Sequence, residues 1–329
     1  MNESRNRLNI IEYCKELGLD TLGFTKCRKF SELEEMFQLR KANDTQNIFE
    51  ENDINKRINP NLNMEEGKTI ISIAFPYLYG KNLNDGVYFS KYTQGLDYHF
   101  VIQLYLNKIC EFIEKLGGKA ISFVDSNALP ERYIAKLCGV GFIGKNQMLI
   151  TSKYGSYVFL GEVITDLDLE ESQPMVEECG NCNACLNCCP TNSIYTGGCN
   201  PNKCLSFITQ KKDIEDEWLL KLEGRIFGCD SCQRVCPKNN DVDFSEIEEF
   251  KPLAFMEKVN LQELIFMSNS VFKEKYKITS CGWRGKKLLQ RNAVINGFLS
   301  SGVVQYDWNE IKSTYVKEYY NRLLYLMKL

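Results

Sequence analysis

The chain is almost without histidine: His99 is the one such residue in 329. Metal sites built from several imidazoles are thereby excluded, and with them His-dominated zinc catalysis. No run approaches the ~18 uninterrupted apolar residues of a membrane helix, so no membrane partner is expected. The N-terminal stretch carries Leu8, Ile11, Leu17 and Leu19 at helical spacing and lacks the apolar centre of a signal peptide. A cytoplasmic location is expected. Excess charge of one sign is missing as well. The 40 Lys+Arg against 43 Asp+Glu give a net charge of -3, which taken whole argues against a general polyanion binder. A hydrophobic share of 44% with 25% charged residues excludes a disordered or fibrous chain. The even balance hides a division, because Lys251 to Leu329 holds 13 basic and 6 acidic residues. A basic tail on an acidic body suits a nucleic-acid partner.

What the chain has in excess is cysteine. Ten of its 15 cysteines lie between Cys179 and Cys236, while Cys14, Cys27, Cys110, Cys138 and Cys281 are scattered. In a cytosolic protein such a cluster reads as metal binding, because disulfides do not persist there.

The pattern predicts an α+β or α/β fold in three units. In residues 1–169, Thr69–Phe75 is a β-branched run ending at Pro76 and reads as a buried strand. His99–Leu116 has helical periodicity and stops at Gly117-Gly118. Ala120–Val124 is a second strand, Pro130 opens a helix ending near Gly139, and Tyr157–Ile164 is a third strand. Strands alternating with helices suggest a layered sheet. Residues 170–245 begin with an acidic linker, Glu170–Glu178, and continue as the cysteine region. Residues 246–329 form a basic helical unit, with helices expected at Leu261–Met267, Val271–Lys275, Lys287–Leu299 and Trp308–Met327.

Cys179-x2-Cys182-x2-Cys185-x3-Cys189-Pro190 is the bacterial ferredoxin run, in which three close thiolates hold one [4Fe–4S] cube and the fourth serves a second. A zinc ribbon uses two separated pairs instead. The second run, Cys229-x2-Cys232-x3-Cys236-Pro237, has Ile226 where its first cysteine belongs. By the crossover rule, Cys179, Cys182, Cys185 and Cys236 hold one cube. Cys189, Cys229 and Cys232 hold the other with a distant thiolate, for which Cys199 and Cys204 are the candidates. Cys188 is spare and reads as buried. Two cubes make a wire for single electrons and do not choose a substrate.

Four weaker signals carry competing readings. Gly139-x-Gly141-x-x-Gly144 matches a dinucleotide fingerprint but follows a helix and precedes an apolar run, the reverse of what that site needs. A backbone approaching something flat, or a plain turn, remains. Asp125 ends a strand at the edge where α/β sheets place ligands. It is either a turn residue before Pro130 or a proton donor beside a metal centre. His99, in Asp97-Tyr98-His99, reads as a packed, hydrogen-bonded residue. A lower axial corrinoid ligand would need D-x-H-x-x-G, and Ile102 fills the glycine position. Arg284, Lys286, Lys287 and Arg291 form a basic cluster, either a solvated helix face or a phosphate contact.

Together with the ferredoxin run, several segments resemble the epoxyqueuosine reductase family. They are Val124-Asp125-Ser126, Gly144-Lys145-Asn146, Gly155-Ser156, Cys204-Leu205-Ser206-Phe207-Ile208-Thr209 and Gly228-Cys229-Asp230-Ser231-Cys232-Gln233. The likeness runs in order from Arg57 to Trp283–Asn292. It implies a cobalamin-dependent enzyme, bound base-off, that completes queuosine on tRNA. Its electrons would come from an unidentified donor through two [4Fe–4S] clusters and reduce cobalt to Co(I). It makes Asp125 the acid for the departing epoxide oxygen and Cys204 the distant cluster ligand. It aligns Arg57, Ser90, Asp125, Leu149, Leu160, Ser206 and Asp230 with positions lining the corrinoid; Ser90 falls near a position that is Cys in some relatives. It assigns tRNA contact to the Arg284, Lys286, Lys287 and Arg291 cluster, on a monomer. Family members usually continue through further helical repeats after Arg291-Asn292-Ala293. Two rival readings are a dehalogenase-like corrinoid reductase of small molecules and an electron-transfer ferredoxin without corrinoid.

Overall fold

The computed structural model describes residues 2–81, 86–301 and 307–327. Helix α1 (Asn2–Glu16) is followed by strands β1 (Leu22–Lys26) and β2 (Thr69–Pro76), and then by helix α2 (Tyr98–Lys115). Strand β3 (Ala120–Phe123), helix α3 (Glu131–Leu137) and strand β4 (Val158–Thr165) complete a sheet of order β1-β2-β4-β3. The expected strands and helices are thus present; β1, with Gly23 as its second residue, carried too weak a pattern to be expected.

Every pairing in this sheet is antiparallel. The expectation that Asp125 marks the carboxyl edge of a parallel sheet is therefore corrected, because an antiparallel sheet has no common carboxyl edge. All eight residues of β2 are buried, and the pleat divides them between two cores. Ile71, Ile73 and Phe75 meet Ile102, Leu106 and Ile109 of α2 on one face. Ile70 and Ala74 join Ile134 and Ala135 of α3 on the other. Each fully buried aliphatic side chain stabilises by about 1.5–3 kcal/mol relative to exposure.

The acidic linker is not a free tether. Ser172 exchanges hydrogen bonds with the Phe24 backbone, and the Lys26 amide donates to Glu171 Oε1 at 3.1 Å. It covers the unpaired edge of β1, where an open strand would invite association. The cysteine region follows in short turns. Its strand Arg225–Phe227 pairs in parallel with Tyr88–Phe89, so the chain returns to the first unit for its backbone partners.

Helices α4 (Lys286–Ser301) and α5 (Thr314–Leu326) close the structure. The expected single helix from Trp308 is broken: a short turn at Trp308–Glu310 precedes Ser313, whose hydroxyl caps α5 by accepting from Val316 N. No helix among the described residues is long and apolar enough to cross a membrane.

Candidate functional site

Asp125 leaves β3 with φ +48°, a left-handed conformation that non-glycine residues adopt at a cost. Continuing the β3–β4 register, in which Phe123 faces Glu162, brings Asp125 level with Leu160. The neighbouring residue of β4, Phe159, stacks on the Tyr98 ring at 4.2 Å. Asp125 Oδ2 accepts from Tyr98 Oη at 2.7 Å and pairs with His99 Nε2 at 3.0 Å, while His99 Nδ1 lies 2.7 Å from Asp97 Oδ1. Asp97 also caps α2 by accepting from the His99 amide.

His99 is thus strung between two carboxylates, as the packed reading expected. The turn reading of Asp125 does not hold, because the side chain that turns the loop is Asn127, which accepts from Leu129 N at 2.7 Å. Burial works against a charged imidazole, yet the bonds to Asp125 and Asp97 outweigh it and lift His99 to about 9. Burial likewise pushes the Asp125 carboxyl up, but His99 and Tyr98 prevail and hold it below the usual carboxylate range. At neutral pH the proton of this unit therefore sits on His99. The spacing alone did not reveal the pairing: Tyr98 and His99 lie 26–27 positions from Asp125, and only the helix–strand packing joins them.

The other residues expected at the corrinoid spread along the junction between the first unit and the cysteine region. Asp230 is buried, accepts from the Ser90 hydroxyl, and takes the Lys91 amide at 2.9 Å. Gly228 permits this approach, since a Cβ there would lie 2.4 Å from Ser90 Cβ. Buried Tyr92 feels the charges of both Asp230 and Asp125 and hydrogen-bonds toward Ser206. Ser90, Asp230, Ser206 and Asp125 thus lie around Tyr92, while Leu160 belongs to the cluster on the α3 side of the sheet. Leu149 lies apart in the hairpin Phe142–Ile143/Leu149–Ile150. Arg57 stacks on Phe37 and donates to Glu50 Oε2 at 2.7 Å.

The thiols fall into two groups. Cys185 feels the charge of Cys179 and Cys236, and Cys236 that of Cys179 and Cys182. Cys204 feels Cys229 and Cys189, and Cys232 feels Cys204 and Cys229. Cys199 instead faces Arg40, Arg132 and Glu50 before any thiol but Cys189. Cys188 donates to the carbonyl oxygens of Cys185 and Ser231. No three such side chains among the described residues converge as ligands of one ion.

Lys145 is a residue the sequence reading passed over as part of a glycine motif. Its Nζ donates to Gly180 O, Cys182 O and Asn183 Oδ1 at 2.8–3.0 Å, and its amide points at Cys179 Sγ, 3.4 Å away. The glycines before it serve close packing: a Cβ on Gly139 would meet Gln173 O at 2.2 Å. The motif is a clasp on the first cysteine loop.

The basic cluster is largely spent inside the protein, which corrects the expectation for Arg291. That residue is fully buried. Its guanidinium donates to the carbonyls of Thr209, Lys211 and Lys212 and to Tyr315 Oη. Arg284 gives its Nε to Gln210 O and stacks over Trp283. Lys287 is exposed and Lys286 partly so.

Two family models match the chain: 4Fe-4S double cluster binding domain over residues 178–239, and Epoxyqueuosine reductase QueG, DUF1730, over residues 57–126. The epoxyqueuosine reductase of Bacillus anthracis is 39% identical over 307 residues, covering 90% of this chain and 80% of its own length. This chain belongs to the epoxyqueuosine reductase family. A solved epoxyqueuosine reductase with an epoxyqueuosine-modified tRNA-Tyr stem loop superposes with a TM-score of 0.89 at 32% identity, over 99% of both chains. An epoxyqueuosine reductase structure from Bacillus subtilis, with its catalytic aspartate loop swung out of the active site, matches at 36% identity and a TM-score of 0.84. It covers 90% of this chain and 82% of its own. As members of this family are oxidoreductases, the double cluster domain gives the chain its iron–sulfur cofactors.

Proposed function

We propose that Asp125 and His99 act together as the proton donor of epoxyqueuosine reduction, with the substrate base presented in a tRNA anticodon loop. Epoxyqueuosine is reduced to queuosine: the epoxide oxygen leaves as water and an alkene remains, which consumes two electrons and two protons. The observation that carries the assignment is the Asp97–His99–Asp125 chain, ending on a carboxylate whose side chain is 54% exposed.

The residues at the domain junction fit a corrinoid. Asn146, three residues before Leu149, buries its Nδ2 without a partner among the described residues. An orphaned buried donor costs about 1–3 kcal/mol, and the amide-rimmed corrin offers the acceptor it lacks. Arg57, Ser90, Asp125, Leu149, Leu160, Ser206 and Asp230 would hold cobalamin there, in its base-off form. When bound, cobalamin supplies a strong reductant charged one electron at a time through the clusters. Cys179, Cys182, Cys185 and Cys236 would hold one cluster, and Cys189, Cys204, Cys229 and Cys232 the other. The neighbourhood of the thiols supports this division.

The protein's own part is positioning and proton supply. A base seated over Asp125 strips its water, which moves the carboxyl pKa upward. The proton on His99 Nε2 then passes to Asp125 Oδ2, and the acid meets the departing oxygen. Tyr98 Oη holds the carboxylate in place. Contact with tRNA falls to Lys286 and Lys287, with the exposed Trp283 ring offering a stacking surface. A relative matched along 99% of its length is solved with an epoxyqueuosine-modified tRNA stem loop, which supports tRNA as the substrate.

The domain division at 169/170 and 245/246 is retained as part of this reading, with the units acting as a monomer. The test is Asp125→Asn with cobalamin and iron at full occupancy, following the modified nucleoside in tRNA. Loss of queuosine formation supports the donor role; undiminished turnover ends it.

A further inference from the structure

We propose that Glu131 is the positioning residue of the Asp125 loop, latching it into the site through Asn127. The inference rests on the donor role of Asp125 for its effect on turnover, but the latch itself is a property of the loop. Left-handed Asp125 is strained, and such a conformation persists only where the surroundings hold it. Within the loop, the bonds Ser126 N to Val124 O and Asn127 N to Asp125 O, at 2.6 and 2.7 Å, join only close neighbours. They shape the turn without tying it to α3, although Asp125 itself is bonded to Tyr98 and His99 of α2. The tie is Asn127, whose amide is used at both ends. Its Oδ1 accepts from Leu129 N, and its Nδ2 donates to Glu131 Oε1, each at 2.7 Å.

Glu131 is a fixed post. It opens α3, whose Ile134 and Ala135 are completely buried against the sheet. Burial and the Asp125 carboxylate push its carboxyl up to about 7, while Asn127, the Asp125 backbone amide and Arg132 pull the other way. Behind it stands Glu162 of β4, also completely buried, with Ser72 Oγ at 3.2 Å from its Oε1 and no partner for Oε2 among the described residues. Burial and Glu131 raise Glu162 well above the usual carboxylate range. Glu131 Oε1 is the acceptor that Asn127 Nδ2 needs. In the Bacillus subtilis relative the catalytic aspartate loop is found swung out, so a loop of this kind has two positions for a latch to choose between.

The test pairs hydrogen exchange of the amides of residues 124–129 with queuosine formation, on enzyme carrying its clusters and cobalamin. Glu131→Leu and Asn127→Leu should each speed exchange in that segment by about tenfold or more. Each should lower kcat by up to about 10²-fold, the scale of a misplaced catalytic group, with KM for tRNA and iron content nearly unchanged. The double variant should be worse than either single one by less than the product of their defects, because the two share the Asn127–Glu131 bond and each loses only one more, from Leu129 N or from the Asp125 amide. Glu131→Gln, whose amide oxygen still accepts from Asn127, should recover most of the loss. Unchanged exchange in both leucine variants, additive defects, or no recovery with glutamine would each overturn the latch. If Asp125→Asn proves fully active, the donor reading fails, while the exchange result still decides the latch.

Discussion

In the sheet, successive residues of β2 feed two apolar clusters, one under α2 and one under α3. Between Cys179 and Cys236 the longest helix, Ala184–Cys188, has five residues. Beside the first cysteine run the apolar cluster is Phe142, Ile150 and Cys236, two of whose members belong to the first unit. Leu205, Phe207, Ile208, Ile214, Leu219 and Leu222 are buried against Ile295 and Phe298 of α4 and Tyr319 and Leu323 of α5. One region holds itself by burying alternate side chains. The other borrows its apolar partners from α4 and α5 and is fastened by single polar residues as well: Lys145 on the first cysteine loop, Asn292 on Ile226 O and Asn296 on Arg225 O. The sheet packs against its own helices, whereas the two cysteine runs themselves bury little and are organised around their cargo.

Removing the iron breaks this comparison most severely. Under chelation, turnover should vanish and amides between Cys179 and Cys236 should exchange freely, while those of Thr69–Pro76 and Tyr98–Lys115 stay protected. Simultaneous opening of both regions would show that the sheet depends on the clusters as well. Asp125→Asn comes next, with a fall in kcat of about 10³-fold, or about 4 kcal/mol of barrier. Asparagine tolerates the left-handed backbone, so the variant removes the acid and leaves the loop its shape. Unaltered thermal stability checks that.

Core truncation sharpens the contrast. Ile71→Ala should cost about 3–4 kcal/mol of stability by denaturant unfolding, since Ile71 has no exposed surface. Ile194→Ala, in a hairpin of the cysteine region, should cost about 1 kcal/mol. Equal losses would mean that the cysteine region has a core of its own. Arg291→Met should cost about 2 kcal/mol, because Lys211 O loses its donor while Thr209 O and Lys212 O keep only those of Asn292 and Tyr315. It should leave the salt dependence of tRNA binding unaltered, whereas Lys287→Ala should lower that slope.

This contrast also explains what was legible beforehand. Period-two and helical patterns are written by burial, so Thr69–Pro76, Tyr98–Lys115 and Lys286–Ser301 could be anticipated nearly to the residue. The cluster run was legible because thiolate spacing is dictated by the cube. The Asp97–His99–Asp125 chain was not, since it joins a helix start to a strand end by packing that no local pattern encodes. Arg291 misled for a related reason. A basic residue on a helix ordinarily faces water, and only the carbonyls of Thr209, Lys211 and Lys212 converging from another segment make its burial tolerable.

The smallest expected effect is a pH dependence that separates the site from the frame around it. His99 is lifted from 6.5 to about 9 by carboxylates it meets only in the folded chain. Its contribution to stability is therefore complete below the unfolded value of 6.5 and disappears as pH rises through about 9. The gain is modest, because Asp125 is open to water and its pairing is screened. The same loss of a proton empties the donor, so kcat should decline on a basic limb near pH 9. His99→Gln should abolish that limb while leaving the iron content intact. A limb that survives in His99→Gln would place the titrating group elsewhere. A limb that moves with cluster content would tie it to the cysteine region and dissolve the division between the two.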